Sequence, residues 1–145
     1  LGDIDEDYPN HVPREVVEND VRNGLIDYLG YRSNVKEIIM GCDCIVHPTY
    51  YNEGLSRVLM EGLAMRKPII TTDIPGCRET VDDGVNGFLC EPRSVFSLTE
   101  CIKKFIMLSH EQRVIMGKAG RIKAETTFDI SDVIKIYHSI TDKYM

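Results

Sequence analysis

Glu53 and Glu61 are two carboxylates with seven residues between them, inside the stretch NEGLSRVLMEGLAMRKPIITTDIP that runs from Asn52 to Pro75. An acidic residue and a glycine open a helix here, and Glu61 lies within it. A helix N-terminus gathers backbone N–H groups with no intrahelical partner, and together with the helix dipole they form an anion site. Counted from that start, Glu61 lies about 9–12 Å along the axis at roughly 1.5 Å per residue. That is the reach from a bound phosphate to the next unit of a ligand. The plain alternatives are that Glu53 only complements the dipole, and that Glu61 is a solvated helix residue paired with a nearby base such as Arg57 four residues earlier.

The elements around these residues follow from periodicity and punctuation. Leu55, Val58, Leu59, Gly62 and Leu63 recur at helical spacing and predict one buried stripe. Pro68–Thr72 is a β-branched run that reads as a buried parallel strand. Upstream, Pro13 opens a helix that stops at Gly24. Leu25–Leu29 reads as a short strand, and Gly30–Asn34 as a turn whose Ser33 or Asn34 caps a helix over Val35–Met40. Asp43–His47 is a further strand, ended by Pro48. Downstream, Cys77–Val81 reads as one helical turn and Phe88–Cys90 as the last strand. Three helices follow over Val95–Leu108, Glu111–Thr126 and Ile130–Tyr144. Strands alternating with helices predict an α/β fold, a Rossmann-like parallel sheet with helices on both faces and a helical C-terminal tail. Ligands in such sheets bind at the carboxyl ends of the strands. Two loops fall there, Gly30–Asn34 and Pro48–Ser56.

Composition narrows the class. The chain has 145 residues, 43% apolar and 28% charged, which suits one soluble globular domain. A net charge of −6 without a basic run argues against nucleic acid as a partner. No apolar run approaches the roughly 18–20 residues that span a bilayer, and no signal peptide is evident. The five cysteines lack zinc-knuckle spacing and read as reduced thiols of a cytoplasmic protein. The abrupt opening, Leu1-Gly2-Asp3, reads as the tail of a strand, so a preceding N-terminal part is expected.

The ordered features GCDCIVHPTYYNEGLSRVLMEGLAMRKPIITTDIPGCRETVDDGVNGFL resemble a known family. A strand ending in His-Pro, the Glu53-x7-Glu61 pair, Pro-Ile-Ile-Thr-Thr-Asp, Pro-Gly-Cys-Arg-Glu and Asn-Gly-Phe-Leu follow one another as in the GT-B glycosyltransferases of the retaining family four, also called group 1. The wording around Pro75–Val81 is similar to bacterial enzymes of surface polysaccharide and lipid-linked oligosaccharide synthesis. The resemblance implies a two-domain enzyme of which residues 1–145 are the C-terminal, donor-binding domain. It implies transfer of a hexose from a nucleoside-diphosphate sugar, a UDP-sugar in the first instance, to a glycan or lipid-linked acceptor held by the other domain. It implies no cofactor and no metal at the site. The family's basic Arg and Lys pair for the diphosphate falls before this chain begins, so the chain alone is expected to be inactive. The expected place is the cytoplasm, at the inner face of the membrane in the full-length enzyme.

Carried onto this sequence, the resemblance makes Glu53 the catalytic residue at the donor sugar, where its carboxylate accepts ring hydroxyls. Glu61 grips the ribose hydroxyls. Gly54, Leu55 and Ser56 present N–H groups to the diphosphate, and glycine lets the backbone come close. Arg32, Asn34 and Val35 hold the base. Arg78 and Glu79 stand at the cleft side of the next loop, with a surface ion pair as the plain alternative. No nucleophile motif is present, which agrees with front-side attack assisted by preorganised donors at the leaving group. Two rivals are a non-catalytic Rossmann-like module that holds nucleotide, and another GT-B enzyme such as a sugar-nucleotide epimerase.

Overall fold

The computed structural model describes residues 2–7, 11–51 and 54–142. The chain forms two compact units, one up to Ile38 and one from Ile39 onward.

In the first unit, α1 (Arg14–Arg22) starts behind Pro13 at φ −55°, with Glu15 in its first turn and Arg22 in its last, both favoured by the dipole. Its end is a Schellman turn: Gly24 N–H donates to Val21 O (3.0 Å) and Leu25 N–H to Asp20 O (2.9 Å), with Gly24 at φ 67°. The expected strand over Leu25–Leu29 is not formed. A strand needs a neighbouring ladder, and what this segment makes instead is the Leu25 bond to Asp20 and a link to Gly2, through Tyr28 O–H to Gly2 O (2.8 Å) and, just beyond the segment, Gly2 N–H to Gly30 O (2.9 Å). Leu25 is accordingly 70% exposed. The next helix, α2 (Val35–Gly41), begins where the Gly30–Asn34 turn predicts.

The second unit is built on three parallel strands, β1 (Ile45–His47), β2 (Ile69–Thr72) and β3 (Gly87–Cys90), in the order β1-β2-β3. Ile45 pairs with Ile69, and Ile69 with Gly87. All four residues of β2 are buried, which is why this strand is a β-branched run without alternation. Successive side chains point to opposite faces. Ile69 joins Leu59, Leu63, Ile74, Cys77 and Val81 on one face, and Ile70 joins Cys90, Cys101, Phe105 and Met116 on the other. The helices α3 (Arg57–Ala64) and α4 (Val95–Met107) supply those two layers, and α5 (His110–Thr127) contributes to both. Helices on both faces of a parallel sheet are thus what the alternation of elements predicted.

Local details fix these layers. α3 lies close on the sheet because Gly62 has no Cβ; one added there would stand 2.9 Å from Ile45 Cγ1 and Ile69 Cδ1. The same Schellman geometry as in α1 ends α3, with Arg66 N–H on Leu63 O (3.0 Å) and Lys67 N–H on Gly62 O (2.9 Å), but an arginine at φ 58° occupies the left-handed position. Asn86 is buried and staples the turn before β3, accepting from Asp82 N–H (2.6 Å) and donating to Thr80 O (2.9 Å). α5 starts with a full capping box on Ser109 and Gln112. Burial pushes the Cys90 and Cys101 thiols up and the Cys44 thiol up to about 12, so these cysteines are protonated at neutral pH. α6 (Ile130–Thr141) is capped by Asp129 and buries none of its residues.

Candidate functional site

The carboxyl end of the sheet carries the turns that leave β1, β2 and β3. α3 begins at Arg57, with Ser56 as the N-cap, later than the sequence reading placed it. Gly54 and Leu55 therefore precede the helix and are exposed; Leu55 stands outside the buried stripe. The orphan N–H groups at the helix start belong to the first helical residues, Arg57, Val58 and Leu59. Ser56 is buried, makes no side-chain cap bond, and commits its own N–H to Gly76 O at 3.2 Å. Of the three expected phosphate contacts, Ser56 is the one at the helix start, and only its hydroxyl remains for a ligand.

Glu61 is exposed on α3, four residues after Arg57 and thus about 6 Å along the axis. That is shorter than the expected reach, because the helix starts later. The exposed helix position of the plain reading is there, but no ion pair joins Glu61 to Arg57 among the described residues. The carboxylate borders a groove of about 430 Å³ between α3 and the α5–α6 corner, with Met60, Arg121 and Phe128 on its walls. Arg121 there donates to Ala64 O (2.7 Å) at the end of α3 and pairs with Glu125 (2.7 Å). Glu53 lies outside the described residues.

The loop after β2 braces Ser56. Arg78 Nε pairs with Asp73 Oδ1 (2.9 Å) while Arg78 Nη2 donates to Asp73 O (2.9 Å). Gly76, at φ 88°, donates its N–H to Glu79 Oε2 (2.8 Å) and offers its carbonyl to Ser56. Arg78 and Glu79 thus hold the loop to itself; Arg78 makes a surface ion pair with Asp73, whereas Glu79 takes a backbone N–H. His47 closes β1, and its carbonyl accepts from Thr71 Oγ1 (2.8 Å). Arg32 and Asn34 are exposed in the first unit, on the turn into α2, and Val35 is half-buried at its start. Among the described residues, no three His, Cys, Asp or Glu cluster as metal ligands.

A second polar group at this edge belongs to no sequence motif. Tyr50, Thr72, Glu91, Arg93 and Ser94 line a cavity of about 280 Å³ between the loop after β1 and the β3–α4 connection. The available signals were Ser94 as an N-cap behind Pro92, and adjacent aromatics in the loop that follows β1.

Comparison with known proteins now names the class. Residues 13–123 match the model of the glycosyl transferases group 1 family, and the chain belongs to that family. It is 32% identical, over 85% of its length and 32% of the relative's, to the N,N'-diacetylbacillosaminyl-diphospho-undecaprenol alpha-1,3-N-acetylgalactosaminyltransferase of Campylobacter jejuni. Among solved structures, HepE from Anabaena in complex with UDP-glucose superposes with TM-score 0.81 at 25% identity, over 97% of this chain and 39% of that one. The C-terminal domain of a group 1 glycosyl transferase (LpcC) from Francisella tularensis shares the fold, with TM-score 0.63 at 22% identity over 80% of this chain and 62% of that one. The fold is therefore a Rossmann-like domain of the GT-B glycosyltransferases. The chain spans about a third of the length of the curated relatives it matches. No helix among the described residues is long and apolar enough to cross a membrane.

Proposed function

We propose that this chain is the C-terminal, donor-binding domain of a two-domain retaining glycosyltransferase that moves a hexose from a UDP-sugar to a saccharide carried on a lipid diphosphate. The observation that carries this reading is the likeness to HepE with UDP-glucose over nearly the whole chain. The acceptor class is taken from the undecaprenol diphosphate in the name of the Campylobacter relative. That acceptor would place the enzyme at the cytoplasmic face of a membrane.

In this reading the diphosphate sits against the start of α3, on the N–H groups of Arg57, Val58 and Leu59 and the Ser56 hydroxyl. Glu61 takes the ribose hydroxyls, and Glu53 accepts hydrogen bonds from the donor sugar. Arg32, Asn34 and Val35 hold the base. Gly54 and Leu55 act through the loop that brings Glu53 and Ser56 to the ligand. The bond from the anomeric carbon to the diphosphate breaks, the acceptor oxygen bonds on the same face, and the departing diphosphate takes the acceptor proton. Fixed donors at a helix start stabilise that leaving group without a divalent metal.

The test is transfer from a UDP-hexose to a synthetic lipid-linked saccharide by the longer protein that carries this domain. The expected product keeps the donor's anomeric configuration, and the 145-residue chain alone gives none. Inversion, or a free epimerised sugar nucleotide, would contradict the reading.

A further inference from the structure

The cavity between the loop after β1 and the β3–α4 connection is built from groups that the donor reading leaves unused. Thr72 follows Ile70 by two residues and so shares its face of the sheet, the α4 side. It is 1% exposed, and its Oγ1 makes no hydrogen bond, although it lies near enough to the Cys90 thiol to favour that group's ionised form. A buried hydroxyl without a partner costs stability unless something else meets it. On the rim, Glu91 and Arg93 are both exposed, and neither forms an ion pair among the described residues. Arg93 is held at φ 58° with its guanidinium 4.8 Å from the centroid of the Tyr50 ring. Ser94 accepts from Ser97 N–H (3.1 Å), which leaves its own proton to donate, while Glu91 is fixed through its N–H on Ser97 Oγ (3.0 Å).

This set has a chemical signature. A guanidinium and a carboxylate on one rim balance each other, so the site does not select an anion. Each supplies what the other lacks, donors only and acceptors only. A ligand whose groups both donate and accept satisfies both at once, and sugar hydroxyls do so. The volume is small beside the roughly 300–1,000 Å³ of pockets for larger ligands, which fits a single ring. We propose that this cavity is a saccharide subsite separate from the donor site, taking one neutral hexose unit of the acceptor glycan, with Arg93 donating, Glu91 accepting and Thr72 meeting the hydroxyl that enters deepest. The assignment to an acceptor rests on the proposed function; the saccharide chemistry does not.

Saturation-transfer NMR on the folded chain tests it, with methyl α-glucoside, methyl α-mannoside and N-acetylglucosamine as probes, inorganic phosphate as the anion control, and UDP affinity measured separately. The chain should bind at least one of these sugars, and UDP should not displace it. Arg93→Ala and Glu91→Gln should each weaken sugar binding about tenfold or more with UDP affinity unchanged, and Arg93→Lys should recover part of the loss. No sugar binding by the unsubstituted chain, full displacement by UDP, binding of phosphate in place of sugar, or indifference to both substitutions would each overturn the proposal. Sugar binding without UDP binding would keep the subsite and remove the donor reading.

Discussion

The loops after β2 and β3 leave the same edge of one sheet and use their polar groups in opposite ways. The first closes on itself: Asp73 is taken by Arg78, Glu79 by Gly76 N–H, and Gly76 O by Ser56 N–H. The second leaves Glu91 and Arg93 exposed beside a cavity with a buried, unbonded Thr72 hydroxyl. A loop whose charges are satisfied internally shapes its neighbours, whereas one whose charges are not is available to a ligand. Arg78 sits in the segment that resembles the family, yet its bonds are structural. Arg93 carries no motif, yet its surroundings are those of a site.

The largest change should come from removing the sheet that both loops share. A Cβ on Gly87 would run into the Ile69 carbonyl, so Gly87→Ala should lower stability by about 3 kcal/mol. Urea unfolding reads this, and an unshifted midpoint would mean that β2 and β3 are not paired as described. A smaller effect separates the loops. Arg78→Ala should cost about 1 kcal/mol, since the pair is half exposed but adds a bond to the Asp73 carbonyl. It should also weaken UDP binding through Ser56. Arg93→Ala should leave UDP binding unchanged and cost no more than about 0.5 kcal/mol for the lost Tyr50 contact, and a matching loss of UDP binding in the two variants would erase the contrast. The smallest effect is a gain at the far end of α3. Arg66→Gly should raise stability by about 0.5 kcal/mol, because glycine takes the left-handed position without penalty but adds freedom to the unfolded chain. The Gly24 turn of α1 is the native precedent.

Much of the frame was legible in the residues. β2 declared itself through Ile69–Thr72, and α3 through Val58, Leu59, Gly62 and Leu63, because burial on both faces or one stripe leaves few other patterns. The boundary of α3 was not legible. Nothing in Glu53-Gly54-Leu55-Ser56 forbids an earlier helix; the bond from Ser56 N–H to Gly76 O, twenty residues on, accompanies the later start. Leu25–Leu29 has strand composition, but a strand also needs a neighbour, which its own residues do not encode. The cavity at Arg93 is illegible in the sequence for a similar reason. Tyr50, Thr72 and Glu91 come from three separate segments and meet only when the parallel register is set.

In the proposed function the α3 edge binds a nucleoside diphosphate and Glu61 holds its ribose. Calorimetric titration of the folded chain with UDP, alongside Glu61→Gln, tests it most directly. Binding should be saturable and weaken about tenfold or more in the variant, with GDP and ADP binding less tightly. Equal UDP affinity in the two proteins would contradict it.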